Sequence, residues 1–74
     1  MDQSRERAQL GIVKRHIAET EGFICRQELM LERLAAQGNN TDDALATLSA
    51  LKDVLRAFHE HRRLILAALG APRW

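Results

Sequence analysis

The stretch Gln37-Gly38-Asn39-Asn40-Thr41-Asp42-Asp43 decides what this chain can become. It lies just past the middle, between two long segments whose apolar residues recur at helical spacing. Gly38 suits the position after a helix end, where the backbone turns left-handed and a Cβ is penalised. Asn39 and Asn40 tolerate such angles better than other residues with side chains. Thr41 is placed to cap a second helix through its hydroxyl, a contribution of roughly 1 kcal/mol. Asp42 and Asp43 then fall in that helix's first turn, where negative charge meets the positive end of the dipole. A break of about four residues between long helices leaves them antiparallel and adjacent. The competing reading, one continuous helix, has to absorb three consecutive poor helix formers.

Composition agrees with an all-α chain. Ala, Leu, Arg, Glu and Gln are abundant, the only proline is Pro72, and there is no tyrosine. Such a mix favours helix over strand. At 74 residues the chain is a single domain, residues 1–74. No leader pattern and no apolar run near ~18 residues is visible. A single cysteine, Cys25, excludes an internal disulfide and fits a reducing compartment. The expectation is a soluble, cytoplasmic protein without a membrane span, frayed at Met1–Ser4 and Gly70–Trp74.

Heptads define two helices, one over about residues 5–37 and one over about 42–69, with the turn at 38–41. In helix one, positions seven apart read Leu10, Ile17, Ile24, Leu31, and three residues on, Val13, Thr20, Gln27, Leu34. In helix two the lines read Leu48, Leu55, Arg62, Leu69 and Ala44, Leu51, Phe58, Ile65. Paired lines of this kind form a coiled-coil seam. Each helix is on the order of 40–50 Å long at 1.5 Å per residue. Folding about Asn39–Asn40 places Ile17 opposite Arg62, Thr20 opposite Phe58 and Gln27 opposite Leu51. It also sets Glu21 beside His59 and Glu28 beside Lys52, complementary pairs worth roughly 0.2–1 kcal/mol each.

The other flank carries no full charge. Met30 comes beside Thr47, Phe23 beside Val54, His16 beside His61, and Gln9 beside Ala68. Helix two extends this side as Thr47, Ala50, Val54, Ala57, His61, Leu64 and Ala68, at alternating spacings of three and four. That is a second, largely apolar seam, weakened by Thr47 and His61. Two helices alone bury too little to offset chain entropy, and small domains often gain stability by association. The economical partner is another copy across a two-fold axis. The expected assembly is a dimeric four-helix bundle, with Ala57 near the axis if helix two meets its counterpart antiparallel. Its interface comprises Phe23, Met30, Thr47, Ala50, Val54, Ala57, His61, Leu64 and Ala68. Leu29 and Ile12, together with Phe23 and Met30, can widen it into a docking patch for another protein.

The residues with chemical potential each have a plainer reading. His16 and His61 are the metal candidates, since zinc accepts imidazole. His59 and His61 point to different faces, so they do not chelate as a unit. No Glu-x-x-His occurs, which disfavours a carboxylate-bridged di-iron bundle. Thr20, Gln27 and Arg62 are polar residues on the seam; the first two set register, and Arg62 extends outward over Ile17 toward Glu19 or Glu21. Cys25 is expected to be a partly buried, inert thiol. Gly11 and Gly22 weaken helix one unless another helix approaches there.

Charge is uneven along the hairpin although the formal net charge is +1. Residues 1–18 and 57–74, the open end, hold seven basic side chains against three acidic, a net of +4. Residues 19–56, the turn half, hold four against seven, a net of −3. A basic end can meet phosphates, which makes nucleic-acid or anion binding the main alternative function. No interleaved aromatics, helix-turn-helix spacing or zinc-finger cysteines accompany it, which argues against nucleic-acid readout. A thin hairpin offers no deep cleft and no nucleophile–base pair, so the reading is non-enzymatic and without a cofactor.

Ile17-Ala18-Glu19 through Arg26-Gln27, the turn Gly38-Asn39-Asn40-Thr41, and His61-Arg62 resemble a group of small bacterial helical-hairpin proteins of uncharacterised function. The resemblance spans about residues 14–66. It implies a helical hairpin, and brings no activity or catalytic residue with it.

Overall fold

The structure is a computed structural model, and it describes residues 3–70. Trp74 and the ends expected to fray, apart from Gln3, Ser4 and Gly70, lie outside that range. Two helices, α1 (Ser4–Ala36) and α2 (Asp42–Gly70), pack against each other as an antiparallel hairpin. Ser4 and Gly70, expected at frayed ends, are helical. The result is a rod of 61 × 15 × 12 Å. Its radius of gyration is 17.2 Å, against about 11 Å for a compact domain of this length.

The turn closes through backbone geometry that only its glycine permits cheaply. Gly38 has φ of 72°, and no other described residue has a positive φ. Its N–H donates to the Ala35 carbonyl at 3.1 Å, and the Asn39 N–H to the Leu34 carbonyl at 2.9 Å. This pair of bonds satisfies carbonyls that the last turn of α1 leaves open. Helix one therefore ends at Ala36, one residue before the expected Gln37, which serves as the cap. At the start of α2 the side-chain cap comes from Asn40, not from Thr41 as expected. Asn40 Oδ1 accepts the Asp42 N–H at 2.9 Å, while the Thr41 carbonyl accepts the first helical N–H, from Leu45. An Asx turn from Asn40 supplies the acceptor one residue earlier.

The heptad seam is where the helices meet. Val13, Ile17, Thr20, Ile24, Ala44, Leu48 and Ile65 are buried, and the remaining seam positions are half-buried. Val13, Ile17 and Ile65 form the core cluster, flanked by Leu10, Leu55, Phe58 and Leu69. The seam continues a heptad further than the sequence lines reached, through half-buried Gln3 and Glu6. Gln3 Nε2 donates to the Leu69 carbonyl at 3.3 Å and ties the open end.

Contacts across the hairpin follow the simple fold-over in part. His16 was expected beside His61; both line one groove, and the His16 ring also stacks on Phe58, with centroids 5.3 Å apart and planes 13° from parallel. Gln27 was expected opposite Leu51, but its Nε2 donates to the Ala44 carbonyl at 3.2 Å. Gln3, which that register carries beyond the end of α2, meets Leu69. Gln27 and Gln3 reach partners about two turns nearer the loop than expected, whereas Val13 shares the core cluster with Ile65, its expected partner.

The expected cross-helix ion pairs do not occur among the described residues: neither Glu21 with His59 nor Glu28 with Lys52 is among their ion pairs. Those pairs are all three apart within a helix: His16–Glu19, Asp53–Arg56 and Glu60–Arg63. Arg62 is half-buried on the seam and takes no part in them.

Candidate functional site

The hairpin's most distinctive surface is one long side. A groove of about 280 Å³ is lined by Gln9, Ile12, Val13 and His16 from α1 and by Phe58 and His61 from α2. It establishes that the His16 flank of α1 and the His61 flank of α2 share a side of the rod. Heptad steps carry that side along both helices: to Phe23 and Met30 on α1, and to Thr47, Val54 and Ala68 on α2. Ala50, Ala57 and Leu64 fill the intervening turns. All nine residues assigned to the interface are exposed in the single hairpin.

Large apolar side chains concentrate here. Ile12, Phe23, Met30, Val54 and Leu64 are five of the eight large hydrophobic residues exposed among those described. Leu29, Leu45 and Leu66 are the others. Leu45 and Leu66 belong to neither seam; seven-residue steps through Lys52 and His59 join them on the flank of α2 opposite the row. Single exposed leucines are ordinary, whereas a contiguous row is not.

Polar groups on this side are few and mostly engaged. His16 Nδ1 lies 3.9 Å from Glu19 Oε2. The Arg26 guanidinium sits over the Phe23 ring, 4.8 Å from its centroid. His16 and His61 both line the groove. The described residues contain no group of three or more His, Cys, Asp or Glu side chains that could hold a metal ion.

Other candidates fall elsewhere. Thr20 is buried, and its hydroxyl donates back to the His16 carbonyl at 2.7 Å. Its polarity is thus spent within α1, and its methyl group serves the seam. Gln27 alone of the predicted polar seam residues bonds across the hairpin. Glu6 adds a buried carboxylate oxygen, Oε2, with no hydrogen-bond partner. Cys25 is exposed, not partly buried as expected, because it lies on the flank away from α2. A Cβ at Gly11 would meet open space, and one at Gly22 only the Arg26 guanidinium at 3.7 Å, so neither glycine marks a close helix approach in the hairpin. Hydrogen bonds from Arg63 hold the Glu60 carboxyl below its ordinary pKa, and Glu60 in turn raises Arg63. No described helix is long and apolar enough to cross a membrane.

Comparisons with protein-family models, with curated proteins and with solved structures each find no match to this chain.

Proposed function

We propose that this chain is a non-enzymatic interaction module. Its hairpin pairs with a second copy through the exposed side of α2, giving a dimeric four-helix bundle, and the bundle presents a helical surface to a further protein. The row Val54, Ala57, His61, Leu64, Ala68, bordered by Phe23 and Met30, carries this reading. Area supports it. The chain exposes 5673 Å², whereas a compact monomer of this mass exposes about 4,600 Å². The excess, roughly 1,000 Å², is comparable to the ~800 Å² that each partner contributes to a standard interface. The face of the rod, 61 Å long and 15 Å wide, is large enough to bury it.

Energetics point the same way. Six apolar side chains and Thr20 are buried among the described residues. Ordering a backbone costs about 1–2 kcal/mol per residue, which so small a core does little to offset. Covering the second row adds apolar burial at about 25 cal/mol per Å².

The test is a pair of charge insertions read by size-exclusion chromatography with light scattering. Ala57→Glu places an unpaired carboxylate in the interface, at a cost of several kcal/mol. A loss of about 3–5 kcal/mol raises Kd by a factor of roughly 100 to several thousand. Ser49→Glu, on the outer face, leaves the dimer intact. If the two variants elute alike, α2 does not form the interface through this row.

A further inference from the structure

Pairing of two hairpins through this face is the premise, and it leaves two arrangements open. With the two-fold axis across the rods, α2 lies on α2 and α1 on α1, and the loops sit at opposite ends. With the axis along the rods, α1 of each copy lies on α2 of the other, and the loops sit together. Every neighbouring pair of helices is antiparallel in both, so helix dipoles do not choose between them.

Charge does choose. The open end of each hairpin carries +4 and the turn half −3. Loops together would stack +4 on +4 and −3 on −3 along a rod 61 Å long. Loops apart lay each basic end on the partner's acidic half. Neighbouring helix axes are about 8–10 Å apart, comparable to the ~8 Å screening length at physiological salt, so the preference persists there and grows at low salt. The Ala57 row is also compatible with meeting itself. Around Ala57, Val54 comes opposite His61, Ala50 opposite Leu64 and Thr47 opposite Ala68, so the bulkiest aliphatic group of the row, Leu64, meets an alanine.

We infer that the partner is a second copy of this chain bound head to tail, its loop beside the first copy's open end, with electrostatic complementarity selecting that orientation. Like charges placed together would disfavour the other arrangement, as they do at specific interfaces generally.

The experiment is a spin-label distance measurement between the two loops of the full chain. A nitroxide is attached at Asn39→Cys in a Cys25→Ser background, with Gln37→Cys as a second site at the same end; both positions are exposed. Circular dichroism confirms that each variant is helical. The expected inter-label distance is long, approaching the 61 Å of the rod. A distance on the order of 20 Å, set by adjacent helices plus the label arms, overturns the orientation while leaving pairing intact. Absence of any inter-chain coupling, with the mass of a single chain, overturns the pairing itself.

Discussion

Three consecutive residues of α2 point in three directions and make the sharpest mutational contrast. Leu64 belongs to the exposed row, Ile65 to the seam, and Leu66 to the flank on the other side of the seam. In the single hairpin they are 53%, 6% and 43% exposed. Truncation to alanine removes three carbons in each case. At about 0.8 kcal/mol per buried carbon, with a cavity term added, Ile65→Ala should cost about 2–4 kcal/mol per chain. For an isolated hairpin, Leu64→Ala and Leu66→Ala should each cost about 1 kcal/mol, with Leu66→Ala slightly the larger because Leu66 is the less exposed. A second copy over the row changes the order. Leu64→Ala then approaches about 2–3 kcal/mol, while Leu66→Ala stays near 1. Urea unfolding followed by helical circular dichroism, at two protein concentrations, reads all three. Pairing also makes the wild-type midpoint rise with concentration, and Leu64→Ala should weaken that dependence. If Leu64→Ala is as mild as Leu66→Ala at every concentration, the row is ordinary solvated surface.

The hairpin itself has other measurable consequences. Gly38→Ala meets no neighbouring atom, so its cost is purely that of a left-handed backbone, about 1–2 kcal/mol, measurable as a lower midpoint in the same urea unfolding. Gln27→Ala removes the bond to the Ala44 carbonyl and should cost about 1 kcal/mol; amide exchange near Leu48, next to the freed carbonyl, should quicken. Glu60 is held below its ordinary pKa by Arg63, so its pairing contributes above the usual carboxylate range and is lost as pH falls through the lowered value. Both groups are exposed and screened by solvent, so thermal stability should barely respond. Carbon-detected NMR titration should place the Glu60 midpoint lower in the wild type than in Arg63→Gln.

The seam was legible because burial in a two-helix hairpin is decided almost wholly by a seven-residue period. Every position on the four heptad lines came out buried or half-buried. The helix boundaries were legible for a related reason, since Gly38 is the one residue whose backbone angles the chain cannot otherwise reach cheaply. Register was legible only in part. A shift of one turn keeps the same residues on the seam and changes only which of them meet, so periodicity is blind to it. The expected Glu21–His59 and Glu28–Lys52 pairs are absent among the described residues. Gln3 and Glu6 were missed because polar residues interrupt the apolar lines there, although both sit on the heptad count. The Asn40 cap was missed because Asn40 and Thr41 are both good acceptors, and the choice depends on how the backbone leaves Gly38. The row on α2 was read from the same period as the seam, and its residues are exposed in the single hairpin.

Sedimentation equilibrium of the unaltered chain tests the central claim most directly. Twice the 8.4 kDa chain mass, dissociating only on dilution, is the predicted result. A single mass of 8.4 kDa at every concentration, in a chain that still unfolds cooperatively, would contradict it.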